Sequence, residues 1–186
     1  MSSHIQELQP LSLGKGISMR SFVDTSKTED SPGYNWSEVL YEGKDGDDLL
    51  EVPAHWHRDH DEVMEILEGS MSFTIDGKKR IVSAGDPPIL IKRGQVHSIT
   101  AIKGVRTRAT ERTIPSGTFK ALFFQDLLQY DTMPGFFMTM RVFYDGDCYA
   151  ALPGGFKMLD YAFITVMGLI AKPFVAARPK GVKFLK

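Results

Sequence analysis

The sequence predicts a mainly β protein, an antiparallel sandwich or barrel over about residues 17–112 followed by a helical extension. Three observations predict it. Short β-prone segments succeed one another between Gly, Pro, Asn and Asp clusters, with no helical period between them. Asp76-Gly77, set between two such segments, is a strong two-residue hairpin signal. After Pro115 the rhythm changes, and apolar residues recur at helical spacing.

The elements follow in order. Residues 1–16 read as an N-terminal arm. They lack a basic start followed by an apolar stretch, so no signal peptide is expected. Ile17–Val23 is the first strand, a turn around Ser31–Gly33 follows, and Asn35–Tyr41 is the second. The acidic, Gly-rich segment Gly43–Asp48 turns the chain into Leu49–His57, which alternates and carries two histidines. Glu62–Leu67, Met71–Asp76, Lys78–Val82, Pro87–Ile91, Val96–Ile102 and Arg106–Glu111 complete the β region. In residues 113–186, Ser116 is the expected N-cap of a helix in which Phe119, Leu122, Phe123, Leu127 and Leu128 recur, up to Tyr130. Further helices are expected over Phe136–Tyr144 and over Met158–Ala171, the last stopped by Pro173.

Composition narrows the function. Lys plus Arg total 22 against 23 Asp plus Glu, a formal net charge of −1, without the basic surplus of a nucleic-acid binder. The single cysteine, Cys148, excludes an internal disulfide framework and a Cys-rich zinc site, and fits a reducing, cytoplasmic setting. The apolar run Tyr161–Ala171 is too short for a bilayer, which takes about 20 residues, and reads as a buried helix. Nine Met and twelve Phe suit a soft aromatic interior that can shape itself around a small organic ligand, beside ordinary core filling.

The histidines are the sharpest feature. Three of the five, His55, His57 and His60, fall within six residues, and Glu62 follows. On a strand His55 and His57 leave the same face, while Glu62 and the distant His97 open later strands. Three imidazoles and a carboxylate converging inside a rolled sheet would hold a first-row metal at roughly 2.0–2.2 Å. Such ligands accept one divalent Fe, Mn, Ni, Co, Cu or Zn without naming it. An isolated H-x-H pair, by contrast, is common and usually idle.

The spacing resembles the cupin superfamily. Its first motif, G-x5-H-x-H-x3,4-E-x6-G, is matched by His55-Trp56-His57, then Glu62, then Gly69. Its second, G-x5-P-x-G-x2-H-x3-N, is matched by Gly85-Asp86 and Arg93-Gly94-Gln95-Val96-His97. Leu49, Lys92 and Ala101 replace the first glycine, the proline and the asparagine, and one extra residue lies between Gly85 and Gly94. These departures fall on turn and packing positions. The resemblance covers about Val39 to Glu111 and implies a jelly-roll β-barrel with His55, His57, Glu62 and His97 as metal ligands. The tail, with Phe123-Phe124, Ala151-Leu152-Pro153 and Ala171-Lys172-Pro173, is similar to the helical C-terminus of small one-cupin proteins, many of them fungal and some in specialised metabolism.

That resemblance implies an enzyme for a small oxygen-rich metabolite, using redox-neutral Lewis-acid chemistry such as decarboxylation, dehydration, isomerisation or cyclisation. An Fe(II)-dependent dioxygenase and a non-catalytic metabolite binder are the alternatives, since fold alone does not choose. Strand parity places Glu51 on the inward face as a proton handler, and His60 at the mouth as a shuttle. Met64, Ile66 and Phe73 are expected to line the cavity, with Lys92 and Arg93 drawing in an anionic substrate. No membrane span is expected. A homodimer is expected, with the apolar C-terminal helix covering an open sheet edge.

Overall fold

A computed structural model describes residues 4–128 and 134–175. Two antiparallel sheets lie face to face. One has seven strands: β1 (Ile5–Glu7), β2 (Leu11–Gly14), β3 (Ile17–Asp24), β4 (Asn35–Tyr41), β6 (Asp61–Glu68), β9 (Ile89–Ile91) and β11 (Thr107–Ile114), ordered β1-β3-β4-β11-β6-β9 with β2 also on β3. The other has five: β5 (Glu51–Trp56), β7 (Ser70–Ile75), β8 (Lys78–Ser83), β10 (His97–Ala101) and β12 (Tyr149–Ala150), ordered β12-β5-β10-β7-β8. The sandwich of the sequence reading is therefore present, and no ladder among the described residues closes it into a continuous barrel.

Alternation explains the sandwich. Inward side chains from both sheets, among them Tyr41, Ile66, Phe73, Ile91, Ile99 and Ala109, form one buried cluster. The β7–β8 hairpin turns at Asp76 (φ 47°) and Gly77 (φ 78°), both left-handed as a primed turn requires. The segment read as an arm contributes β1 and β2, none of whose residues is fully buried, so they carry little alternation.

Three helices follow: α1 (Phe119–Leu128), α2 (Phe136–Asp145) and α3 (Lys157–Ala171). The first starts later than Ser116 suggested. Leu122 N–H donates to the Thr118 carbonyl, Thr118 in turn donates from its hydroxyl to Glu29, and Ser116 Oγ makes no hydrogen bond among the described residues. The expected end at Tyr130 lies outside the described residues. Ala121 of α1 packs on Leu8 and Val23, and Phe123 packs on Val142 and Cys148. The helices α2 and α3 cover the outer face of β5 through Met140 and Ile164, which bury Trp56 together with Tyr149. Trp56 stacks on Tyr149 (centroids 4.6 Å apart) and donates its indole N–H to Asp160 at 3.1 Å. No helix among the described residues is long and apolar enough to cross a membrane.

Candidate metal centre and cavity

His55 lies on β5 and His57 just beyond its end, so the alternation of the strand sends both imidazoles inward and Trp56 between them outward. The register pairs His97 with His55 across β5 and β10, and their rings lie 4.2 Å apart. Glu62 comes from β6 of the other sheet, so the cluster bridges the sandwich. One ligand atom from each of His55, His57, Glu62 and His97 lies within 4.8 Å of all the others.

The hydrogen bonds fix what each ring presents. The Nδ1 atoms of His55, His57 and His97 lie 2.8, 2.7 and 3.0 Å from the carbonyl oxygens of Pro53, Asp147 and Gln95. A carbonyl only accepts, so each Nδ1 carries a proton, and in the neutral ring the lone pair is on Nε2. The Nε2 atoms of His57 and His97 are buried without a hydrogen-bond partner. They lie 3.1 and 3.0 Å from the two oxygens of Glu62. Two ligand atoms at about 2.1 Å from one ion and at right angles around it are about 3.0 Å apart, so these separations suit a shared ion. The donor set fits a divalent transition metal, and carbonyl-anchored imidazoles are its usual support.

Charge states agree. Burial, together with His97 and His57 beside it, holds His55 well below its usual range. Burial, then the Lys120 ammonium, pushes His57 down to about 4. Burial opposes ionisation of Glu62, but Lys120 and His57 outweigh it and hold the carboxyl well below the usual range. His55 and His57 are therefore neutral and Glu62 is ionised, the forms that bind metal.

Residues 49–109, which contain all four of these residues, match the family profile described as a cupin domain. The chain carries a cupin domain. Among solved structures it is similar to KdgF from Halomonas sp., at 18% identity over 57% of this chain and 86% of that one, TM-score 0.45. It is also similar to the polyketide cyclase RemF from Streptomyces resistomycificus, at 22% identity over 58% and 73%, TM-score 0.43. A third likeness is to an RmlC-like cupin from Shewanella frigidimarina, at 16% identity over 59% and 85%, TM-score 0.43. Comparison with curated proteins gives no match.

Residues outside the cupin domain complete the site. Lys120 of α1 is buried, and its Nζ lies 2.5 Å from Glu62 Oε1 and 3.1 Å from Glu111 Oε1. Burial pulls the Lys120 ammonium down, but Glu111 and Glu62 outweigh it and hold the group charged, above its usual range. Burial pushes Glu111 up to about 7 against the pull of Lys120. Asp147, between α2 and β12, supplies the carbonyl that anchors His57. Its carboxylate accepts from the backbone N–H groups of Arg58 (3.1 Å) and Asp59 (2.8 Å) and from His60 Nδ1 (2.8 Å). Neither residue was visible as functional in the sequence: Lys120 reads as the polar face of a helix, Asp147 as a turn.

A cavity of 480 Å³ opens against the cluster, lined by His55 and Glu62, by Glu111, Lys120 and Thr110, and by a long apolar wall. The fold places the other expected residues unevenly. Met64 lines the cavity, and so does Glu51, an exposed residue. Ile66 and Phe73 belong to the main core cluster and do not reach the cavity surface. Lys92 is exposed, and Arg93 is held by Asp61, whose carboxylate accepts from its backbone N–H and from its Nε. His60 is 2% exposed and sits behind the cluster, its Nε2 3.9 Å from Glu62 Oε1, so it is no mouth residue.

Proposed function

We propose that the protein is a metal-dependent enzyme that acts on a small organic molecule bearing oxygen, by redox-neutral chemistry of the lyase or isomerase type. One observation carries the reading: three imidazoles, each tied through Nδ1 to a carbonyl, cluster with one ionised carboxylate, and His55 and Glu62 of that cluster line a cavity of ligand size. His55, His57, Glu62 and His97 would hold the ion, which supplies Lewis-acid polarisation of a substrate carbonyl or enolate oxygen.

The chain's own groups do the rest. The apolar wall excludes water, which strengthens every polar contact inside. The Lys120 ammonium offers an N–H to negative charge that develops on a substrate oxygen beside Glu62. Glu51, a carboxylate on the cavity lining, would take or return a proton in this scheme. The test is turnover of β-keto acid and phenolic substrates by metal-replete protein, in air and under strict anaerobiosis. Product that forms equally without oxygen supports the reading. Oxygen uptake matched to product replaces it with a dioxygenase, and binding without turnover under either gas replaces it with a carrier.

A further inference from the structure

Two properties of the cavity point to the kind of molecule it takes. The first is its wall. Leu13, Met19, Val39, Met64, Phe123 and Leu127 are typical of a lining that is apolar almost throughout. A sugar or polyol buried there would leave several hydroxyls without partners, each at a cost in affinity. The volume of 480 Å³ falls within the roughly 300–1,000 Å³ of pockets that enclose a drug-sized ligand.

The second property is where the charge sits. Glu62, Lys120 and Glu111 form one contact chain, and His55 lies beside Glu62 at the cavity surface. An ammonium carries three N–H donors. One is donated to Glu62, Glu111 Oε1 lies 3.1 Å away as an ion-pair partner, and a donor remains for a ligand oxygen. A divalent ion at the four-residue cluster adds two positive charges here, so this end is cationic whether or not Glu111 is ionised. A neutral ligand would leave that charge facing hydrocarbon.

We infer that the cavity takes an apolar-bodied organic acid, its hydrocarbon or aromatic skeleton against Phe123, Phe124, Leu127 and Met64 and its one acidic oxygen group at Lys120 beside His55 and Glu62. Lys120 is then the residue that selects an acid over the matching alcohol, and α1, which lies outside the cupin domain, sets the substrate class. This rests on the metal-dependent reading above for the charge of the site, and on Lys120 and the wall for the rest.

Calorimetric titration tests it with three probes on zinc-reconstituted protein: 2-naphthoate, 2-naphthalenemethanol and galacturonate. The expected order places naphthoate at least about 10-fold tighter than either of the others, in line with a hydrogen bond to a charged group. Lys120→Met should weaken naphthoate about 10-fold or more and leave naphthalenemethanol within about twofold. Glu111→Gln, which removes a competing negative charge and keeps the side-chain shape, should hold naphthoate at least as tightly as the wild type. This second variant carries the test should Lys120→Met fail to fold. Galacturonate binding as tightly as naphthoate, equal binding of acid and alcohol, or a loss of naphthoate affinity in Glu111→Gln would each overturn the inference. Zinc content of the same samples separates the two readings. A protein that binds naphthoate but no zinc defeats the metal centre and leaves the acid cavity standing, while a full zinc equivalent with no naphthoate binding does the reverse.

Discussion

Removing the carboxylate of Asp147 should weaken metal binding at the cluster of His55, His57, Glu62 and His97, of which Asp147 is not a member. In Asp147→Ala three donors lose their acceptor. The N–H groups of Arg58 and Asp59 belong to exposed residues and can turn to water, at about 0.5–1 kcal/mol each. His60 is buried, and its stranded Nδ1–H costs about 1–3 kcal/mol. Asp147 also holds a left-handed backbone (φ 54°), which alanine tolerates worse than aspartate or asparagine. Metal-free Asp147→Ala should therefore be about 2–5 kcal/mol less stable in urea, with Asp147→Asn clearly milder. The same loop carries the carbonyl that anchors His57, so zinc affinity by chelator competition should fall about 10–100-fold in the alanine variant. The pH profile has two edges. Burial works against both charges, but the His60–Asp147 hydrogen bond leaves His60 above its usual range and Asp147 below it. For Asp147 the stabilisation is present above the ordinary carboxylate range, about 3.9, and fades as pH falls through its lower folded value. For His60 it is complete below about 6.5 and fades as pH rises through its higher folded value. The wild-type advantage over Asp147→Ala in metal-free protein should thus shrink at both ends. Zinc affinity within twofold of wild type, together with a stability loss under about 1 kcal/mol, would refute this account of the loop.

Three further outcomes follow from the geometry. His57→Ala should retain only a small fraction of the metal equivalent found in wild-type protein purified without chelator, and equal metal content in elemental analysis would remove the four-residue centre. Gly69→Ala should cost more than about 2 kcal/mol in a urea melt, because φ is 73° there and an added Cβ would meet the Arg106 carbonyl oxygen at 2.1 Å. Cys148 is buried and its thiol is pushed up to about 12, so native protein should resist a thiol reagent at pH 8 over a time in which urea-unfolded protein reacts fully.

The cluster of His55, His57, Glu62 and His97 was legible because two constraints coincide in the sequence. The period of a strand turns His55 and His57 inward together, and the turns around Asp61 and Gly94 bring Glu62 and His97 to the same level. The strands β3, β4, β6, β7, β9, β10 and β11 were legible for a related reason, since buried residues recur along each of them with the period of a strand. What the sequence hid depends on partners far along the chain. Lys120 is a buried cation only because Glu62 and Glu111 wait on two strands of the sandwich, and nothing in Phe119–Leu128 announces that. His60 was misplaced at the mouth because its burial comes from Asp147, 87 residues later, and from Phe119, whose ring lies 5.1 Å away. The short strands β1, β2 and β12 bury too few residues to impose a pattern.

Trp56 turns the two-sided strand β5 into an optical gauge. Its neighbours His55 and His57 belong to the inward four-residue cluster, while its own ring is packed on the opposite side against Tyr149 under α2 and α3. An open-shell ion such as Cu(II), Ni(II) or Co(II) held by those imidazoles sits close enough to drain the excited indole, whereas zinc, with its filled d shell, leaves the emission intact. The second indole, Trp36, stacks on Phe22 in the other sheet and supplies a steady background. Intensity then counts occupied sites, and the colour of the same emission reads how firmly the helices are seated, so two events on opposite faces of one strand can be followed in a single unlabelled cuvette.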